Sequence, residues 1–339
     1  AVEQALADYL SSPELGAAAW TAIGRMRLDA ADPAGALEAA QRGQGIDAAS
    51  DGPAILALAL MDPKFPQAEG IVKKYLGGKA QVDIRMDYAR ALLNAQRYPE
   101  SAVQLDLITS EKSDYAQAWF VKGMLELQAK QMGNAEQALV RFVQLETAAG
   151  AGAQAAEEST RSLTQAYLAL AEIAEKAKDF PKAKSWLDRI DSAQDMLGIQ
   201  SRRAALLARQ GQLAEARALL RTLPQGNVAE TRSKTSAEVQ LLRDNKQYQA
   251  AYDLLRDALA TTPEDLDFLY DQAMMAEKLG RLDEMERLLR QAISIKPDYH
   301  HAYNALGYSF ADRNVRLTEA RQLILKALEF APGDPFITD

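Results

Sequence analysis

Residues 299–332 read YHHAYNALGYSFADRNVRLTEARQLILKALEFAP. Tyr303, Leu306, Gly307 and Phe310 lie three or four residues apart or next to each other, and a second run of such spacings begins at Ala320. This spacing is typical of one face of an α-helix, so the stretch predicts two helices joined by a turn. Proline then ends the second helix, because it lacks an amide hydrogen and clashes with the preceding turn.

Proline recurs at the end of similar stretches, which predicts a repeat array. Pro263, Pro297 and Pro332 lie 34 and 35 residues apart. Upstream units carry the same small and large residues: Trp20, Ile23, Gly24, Ala36, Ala89, Leu92, Ser101, Gly123, Ala138, Phe142, Ala171, Ala183, Gly211, Ala216, Tyr248 and Ala251. Serine stands in for the usual alanine at position 101. The sequence predicts an all-α solenoid of about nine helix–turn–helix repeats.

One low-complexity stretch suggests a division of the array. Residues 148–153 read AAGAGA, a composition typical of loops. We expect N-terminal repeats over 1–147, an Ala/Gly-rich loop or bend over 148–160, and C-terminal repeats over 161–339; an ordinary long inter-helix loop is the alternative. We also expect further repeats after Asp339 and an export signal or anchor before Ala1.

Composition excludes several classes of function. The net charge is −8, and acidic and basic residues are mixed along the chain, so there is no basic stripe of the kind that nucleic-acid backbones require. No apolar run approaches the roughly 20 residues that span a bilayer. The chain has no cysteine, which excludes disulfides, thiolate catalysis and zinc–cysteine sites.

The search for reactive groups indicates a non-catalytic protein. His300 and His301 are the two histidines; as neighbours on a helix we expect them to point to different faces and not to share a metal ion. Residues 77–79 read GGK but are followed by alanine, where a phosphate loop needs a hydroxyl. Glu172 and Glu175, one turn apart, have the pattern of solvated surface acids. We therefore predict no catalytic residue, no metal site and no cofactor.

The order aromatic, Leu-Gly, aromatic, Ala, Ala and Pro over about 34 residues resembles the tetratricopeptide repeat. That resemblance implies a right-handed superhelical solenoid whose first helices line a concave wall. It also implies that set positions on each first helix face a peptide or protein partner. Carried over by position, the predicted wall residues are Phe120, Met124, Glu172, Glu175, Gln240, Arg243, Tyr270, Met274, His301, Asn304 and Tyr308. Aromatic and methionine side chains of this kind anchor partners. For Phe120, Tyr270 and Met274 the alternative is burial in the core.

The last repeat carries a second resemblance. Residues 304–313, 317–320 and 328–335 look like a block found in tetratricopeptide proteins of Gram-negative cell envelopes, several of which are outer-membrane lipoproteins. One such group acts as the adaptor of a carboxyl-terminal processing protease and assists it in degrading peptidoglycan hydrolases. The resemblance implies a periplasmic scaffold, attached to the outer membrane through an N-terminal lipid anchor that this sequence lacks.

Two other functions stay open at this point. The chain could be the repeat half of a larger envelope or glycosyl-modifying enzyme, which a sheet-containing domain beyond Asp339 would favour. It could instead be a cytoplasmic peptide-binding module, which a signal sequence ahead of Ala1 would exclude.

Overall fold

The computed structural model describes residues 9–78, 81–149, 156–190, 196–224, 226–333 and 337. Throughout these ranges the regular structure is α-helical, as predicted. The eighteen described helices are α1 Gly16–Asp29, α2 Pro33–Ile46, α3 Asp51–Leu58, α4 Pro66–Leu76, α5 Val82–Asn94, α6 Tyr98–Glu111, α7 Ala116–Gln128, α8 Met132–Ala149, α9 Ala156–Lys176, α10 Phe180–Leu187, α11 Met196–Arg209, α12 Leu213–Arg221, α13 Val228–Asp244, α14 Tyr248–Leu259, α15 Leu266–Lys278, α16 Leu282–Ile295, α17 His300–Asp312 and α18 Leu317–Phe330. Among the described helices none is long and apolar enough to cross a bilayer.

The helices follow one another as nine pairs, each with an odd-numbered first helix and an even-numbered second helix. The number of pairs agrees with the roughly nine repeats predicted. The chain divides into two compact units, Ala1–Trp186 and Leu187–Asp339. The division therefore falls after Trp186 and not within the predicted bend at 148–160.

Helix extends into the predicted Ala/Gly-rich loop from both sides. Helix α8 continues to Ala149 and α9 begins at Ala156, so the loop prediction is wrong for residues 148–149 and 156–160. Alanine is the strongest helix former, and Glu157 and Glu158 lie in the first turn of α9, where acidic side chains are favourable to the helix dipole. The rest of the predicted loop, 150–155, lies outside the described residues.

Small residues let the two helices of a pair approach closely. A Cβ atom on Gly123 would lie 2.6 Å from Cγ of Leu139, and one on Gly307 would lie 3.0 Å from the carbonyl oxygen of Ala320. Ser101, which replaces the usual alanine, is fully buried and donates a hydrogen bond of 2.9 Å from Oγ to the carbonyl of Ala89. Its hydroxyl is therefore satisfied inside the pair.

The turn between first and second helix is left-handed in eight of the nine described pairs. The residue two positions after the first helix has a positive φ between 55° and 81° in each of them: Ala31, Gln96, Lys130, Lys178, Gly211, Lys246, Gly280 and Asn314. The amide that follows each of these donates to the carbonyl five residues before it, for example Gln131 to Glu126 and Gln247 to Leu242, at 2.8 Å in both cases. This is the Schellman arrangement that ends helices.

Each unit has its own apolar core. In the first unit a cluster of buried side chains runs from Trp20 to Leu92. In the second unit a cluster runs from Val239 to Ala320 and includes Leu289, which is fully buried. Each repeat thus buries its apolar faces against its neighbours in sequence.

Ion pairs add to the contacts between neighbouring repeats. Glu286 of α16 accepts hydrogen bonds from Arg316, which precedes α18 (2.8 Å), and from Arg290 one turn along its own helix (2.9 Å). Arg316 is the main reason why the pKa of Glu286 is lowered to about 2, with Arg290 adding to the effect.

Candidate functional site

The described part of the first unit has a cavity of about 600 Å³ formed by the first helices α5, α7 and α9 together with the start of α6. We call it the first-helix cavity. Its lining consists of Leu93, Asn94, Tyr98, Phe120, Val121, Met124, Leu125, Leu127, Gln128 and Glu172. Three of the predicted wall residues, Phe120, Met124 and Glu172, are therefore brought together in one place.

For Phe120 the sequence left two places open, the predicted wall and the core, and the structure combines them. Its side chain is half-buried, its ring lies 5.0 Å from the buried ring of Phe142, and it also lines the first-helix cavity. Met124 is likewise half-buried and lines the cavity one turn further along α7. Both side chains present apolar surface to the cavity.

Glu172 gives the cavity one acidic group. The carboxylate is half-buried and pairs with Lys176 at 2.7 Å. Glu175, the other acid predicted on α9, is half-buried but is not one of the described residues that line the cavity. The cavity is thus an apolar recess with a single carboxylate.

In the second unit three rings, two on neighbouring first helices and one just before the second of these helices, form a cluster that we call the aromatic shelf. Tyr270 of α15 lies 6.3 Å from Tyr299 and 6.1 Å from His301 of α17, and the rings of Tyr299 and His301 are 5.6 Å apart. Edge-to-face contacts at such distances are favourable. Burial raises the pKa of Tyr270, and it raises the pKa of Tyr299 to about 12. Tyr270 and Met274 also pack against the buried core of the second unit. The two alternatives from the sequence, a place in the predicted wall or in the core, therefore do not exclude each other for these residues.

One expectation about the histidines is wrong. The rings of His300 and His301 lie 4.0 Å apart and do not point to separate faces. Helix α17 begins at His300, so no preceding helical turn restricts the rotation of this first side chain. Within the described ranges no group of three or more His, Cys, Asp or Glu side chains could hold a metal ion.

A charged pair lies next to the shelf. Arg243 of α13 is 3.6 Å from Asp271, the neighbour of Tyr270. Burial raises the pKa of Asp271, although Arg243 acts in the opposite direction. Gln240 is exposed, donates to Asp244 at 2.7 Å and accepts a hydrogen bond from Arg243. The predicted residues Gln240 and Arg243 therefore belong to a polar network beside the aromatic shelf.

The remaining predicted residues share one face of α17. His301, Asn304 and Tyr308 are spaced by three and four residues, as one helical face requires. His301 is exposed, Asn304 is half-buried, and the Tyr308 side chain is 64% exposed. Tyr308 thus offers a large amphipathic surface that the described contacts of the second unit leave free to meet solvent.

Comparison with known proteins identifies the repeat type. The profile of the tetratricopeptide repeat family matches residues 236–284 and 284–335. These residues match the tetratricopeptide repeat. Over 174 residues, or 51% of this chain, the sequence is 36% identical to TPR repeat-containing protein PA4667 of Pseudomonas aeruginosa. The match covers 30% of that relative's length.

The architecture agrees with a solved tetratricopeptide structure. The C-terminal part of a TPR repeat-containing protein from Cytophaga hutchinsonii superimposes with a TM-score of 0.50, covering 75% of this chain and 98% of that one at 12% identity. At this identity the similarity concerns the fold alone. An all-helical tetratricopeptide solenoid is a scaffold suited to protein–protein interaction.

Tetratricopeptide numbering could have found some of the residues that the sequence prediction omitted. Leu93 and Leu127 occupy the twelfth position of their repeats, counted from Ala89 and Gly123 as the eighth, and both line the first-helix cavity. Tyr299 precedes its helix and has no wall position in the repeat pattern, so its place in the aromatic shelf was not visible in the sequence.

Proposed function

We propose that this chain is a non-catalytic scaffold that binds a protein partner through its first helices. The observation that carries the proposal is the first-helix cavity. Its volume of about 600 Å³ lies within the range of roughly 300–1,000 Å³ that is usual for ligand pockets. Apolar side chains line most of it, so an apolar side chain of a partner would gain burial there.

The aromatic shelf supports the same function in the second unit. Tyr270, Tyr299 and His301 hold one another by ring contacts, and Tyr308 on α17 is largely exposed. Tyrosine is enriched among the residues that dominate binding energy in protein interfaces, because it combines a large apolar area with a hydroxyl. Binding at both surfaces by one partner would add avidity.

For the partner we propose a carboxyl-terminal processing protease of the cell envelope. The chain would present peptidoglycan hydrolases to this protease for degradation, in the periplasm and attached to the outer membrane. This finer proposal rests on the resemblance of residues 304–335 to the envelope adaptor group. Tetratricopeptide proteins as a class bind protein partners, and this supports the proposal that the chain is a scaffold for a protein partner.

The test is co-migration on size exclusion of this chain with the carboxyl-terminal processing protease of the same organism. We expect a stable complex that accelerates cleavage of a peptidoglycan hydrolase. If a complex forms without faster cleavage, the adaptor proposal is wrong and the scaffold proposal stands. If no envelope protein of that organism binds, the scaffold proposal is wrong as well.

Variants connect the complex to the cavity. Met124→Lys places a charge in the apolar recess and should weaken binding by about 2 kcal/mol, or roughly thirtyfold. Gln128→Trp, at an exposed position that lines the same cavity, should block it without disturbing the core. Val103→Lys is the matched control, since Val103 is 55% exposed and does not line the cavity. Equal binding by all three variants would exclude the first-helix cavity as the contact.

A further inference from the structure

The described residues of the first unit contain another cavity, of about 570 Å³, between the second helices α6 and α8, with α7 beneath them. We call it the Glu126 cavity. Trp119, Lys122 and Glu126 line it from α7, at spacings of three and four residues. They form a different stripe of α7 from Phe120, Met124 and Leu127, and Leu125 lies between the two stripes and lines both cavities.

The charges of the Glu126 cavity do not balance. Lys122 and Asp106 pair with each other at 2.6 Å, which leaves the Glu126 carboxylate as the surplus charge. The Oε2 atom of Glu126 is buried and has no hydrogen-bond partner among the described residues. Burial raises the pKa of Glu126, Lys122 lowers it and Asp106 adds to the increase. A buried carboxylate oxygen without a donor is costly, and a donor that reached the Glu126 carboxylate from the cavity would offset part of that cost.

An indole ring lies in the same cavity. The Nε1 atom of Trp119 donates to the carbonyl of Ser113 at 3.0 Å, which fixes the ring, and the Lys122 ammonium lies 5.4 Å from the ring centroid. Asn134 and Gln131, joined to each other at 3.3 Å, add side-chain amides from the α8 side. The lining thus combines a carboxylate, an aromatic ring and amides, which together suit a planar cation.

We infer that the Glu126 cavity binds an arginine side chain of a partner protein, with the guanidinium donating to Glu126. The guanidinium offers five donors in a plane, so it can serve the carboxylate while its face or edge meets the Trp119 ring. An acidic side chain would meet a surplus negative charge, and an apolar one would leave Oε2 without a donor. Tyr98 and Leu125 line both cavities, but the inference about the Glu126 cavity does not need the proposed function to hold.

The probe is the peptide Ac-Gly-Arg-Gly-NH2, titrated into the ¹⁵N-labelled chain while the indole N–H signal of Trp119 is followed by NMR. Trp20 and Trp186 provide internal reference signals, and Trp119→Phe assigns the signal. We expect saturable binding with a Kd on the order of 1 mM, since a single side chain contributes only a few kcal/mol. The matched probe is Ac-Gly-Cit-Gly-NH2, in which citrulline keeps the shape of arginine and removes the charge.

The carboxylate is tested by Glu126→Gln, which keeps the volume and removes the charge. Both the citrulline peptide and this variant should weaken binding at least about tenfold, the value of a charged hydrogen bond. Ile55→Lys, at an exposed position of α3 that lines neither cavity, should leave the Kd unchanged. The inference is overturned if the arginine peptide does not shift the Trp119 signal, if citrulline binds equally well, or if Glu126→Gln has no effect. Equal binding by Ac-Gly-Lys-Gly-NH2 would overturn the assignment to a guanidinium.

Discussion

At the scale of single residues, the close approach of α7 and α8 depends on one missing side chain. A Cβ atom on Gly123 would lie 2.6 Å from Cγ and 3.1 Å from the backbone nitrogen of Leu139, which is fully buried. We predict that Gly123→Ala lowers the free energy of unfolding by about 1–3 kcal/mol, because the extra methyl overpacks the helix pair. Urea denaturation followed by circular dichroism measures this loss.

Gly133 provides the control for that prediction. It lies in α8, and a Cβ atom there would meet no atom within 4 Å. Gly133→Ala should be neutral or should stabilise by up to about 1 kcal/mol, since alanine loses less backbone entropy on folding. A similar loss for both variants would show that the Leu139 contact is not the cause.

Glu286 makes the stability of the second unit depend on pH. Its folded pKa of about 2, lowered first by Arg316, is below the value of roughly 4.3 for an unperturbed glutamate. The unfolded chain therefore binds more protons between these values, so the stabilising contribution is complete above pH 4.5 or so and is lost as the pH falls toward 2. Glu286→Gln should lower the Tm at pH 7, and the difference from the parent should shrink over that acid range.

The control for this pH dependence is Glu264→Gln, which changes the net charge equally at an exposed position. Its Tm should follow that of the parent at every pH. A Glu286→Gln deficit that stays constant from pH 7 to pH 2.5 would contradict the assignment to an ionised Glu286.

At the scale of elements, the left-handed turns set the path from each first helix to its second helix. Lys130 and Lys246 have φ values of 61° and 57°, a conformation that costs a non-glycine residue roughly 1–2 kcal/mol. Lys130→Gly and Lys246→Gly should therefore each raise the free energy of unfolding by about 0.5–1 kcal/mol, after the larger entropy of unfolded glycine is counted. Gly280→Ala, at φ 72°, should lower it by a similar amount.

Alanine variants separate this effect from loss of the lysine charge. Lys130→Ala and Lys246→Ala keep the backbone cost, so thermal melts should show no gain. If the alanine variants gain as much stability as the glycine variants, the gain comes from removing the lysine charge and not from the backbone conformation.

These turns also show which parts of a helix pair can be predicted from the sequence. Gly211 and Gly280 predict a left-handed turn, because glycine adopts positive φ without strain. Lysine at 130 and 246 carries no such preference, and its conformation comes from the Schellman hydrogen bonds and from the packing of the pair. The helix pairs and their proline ends could thus be predicted from residue spacing, whereas most turn conformations could not.

Repeat numbering predicts only those residues of the candidate site that occupy a numbered wall position on a first helix. Phe120 and Met124 were found because their positions repeat along the chain. Tyr299 precedes its helix, and the Glu126 cavity lies between second helices, so neither follows from a numbering of first-helix walls. The contact between the His300 and His301 rings depends on side-chain rotation at a helix start, which no sequence spacing encodes.

At the scale of the whole molecule, stability should be a local property, because repeats contact mainly their neighbours. Leu289→Ala removes a fully buried side chain from the core of the second unit, and we expect a local loss of about 2–5 kcal/mol. Hydrogen exchange read by mass spectrometry should accelerate in α15, α16 and α17 and stay unchanged in α2, α3 and α4.

The reciprocal variant completes that experiment. Leu92→Ala removes a fully buried side chain from the first unit and should accelerate exchange in that unit alone. Acceleration throughout the chain by either variant would show all-or-none unfolding and contradict local stability.

The distribution of tryptophan gives the molecule a built-in optical reporter. Trp20, Trp119 and Trp186 all belong to the first unit, and residues 187–339 contain none. Intrinsic fluorescence excited at the indole band therefore records the first unit without any label, whereas far-ultraviolet ellipticity records both. If the two melting curves of one unmodified sample superimpose, the two units unfold together. If the curves separate, the two units unfold at different temperatures.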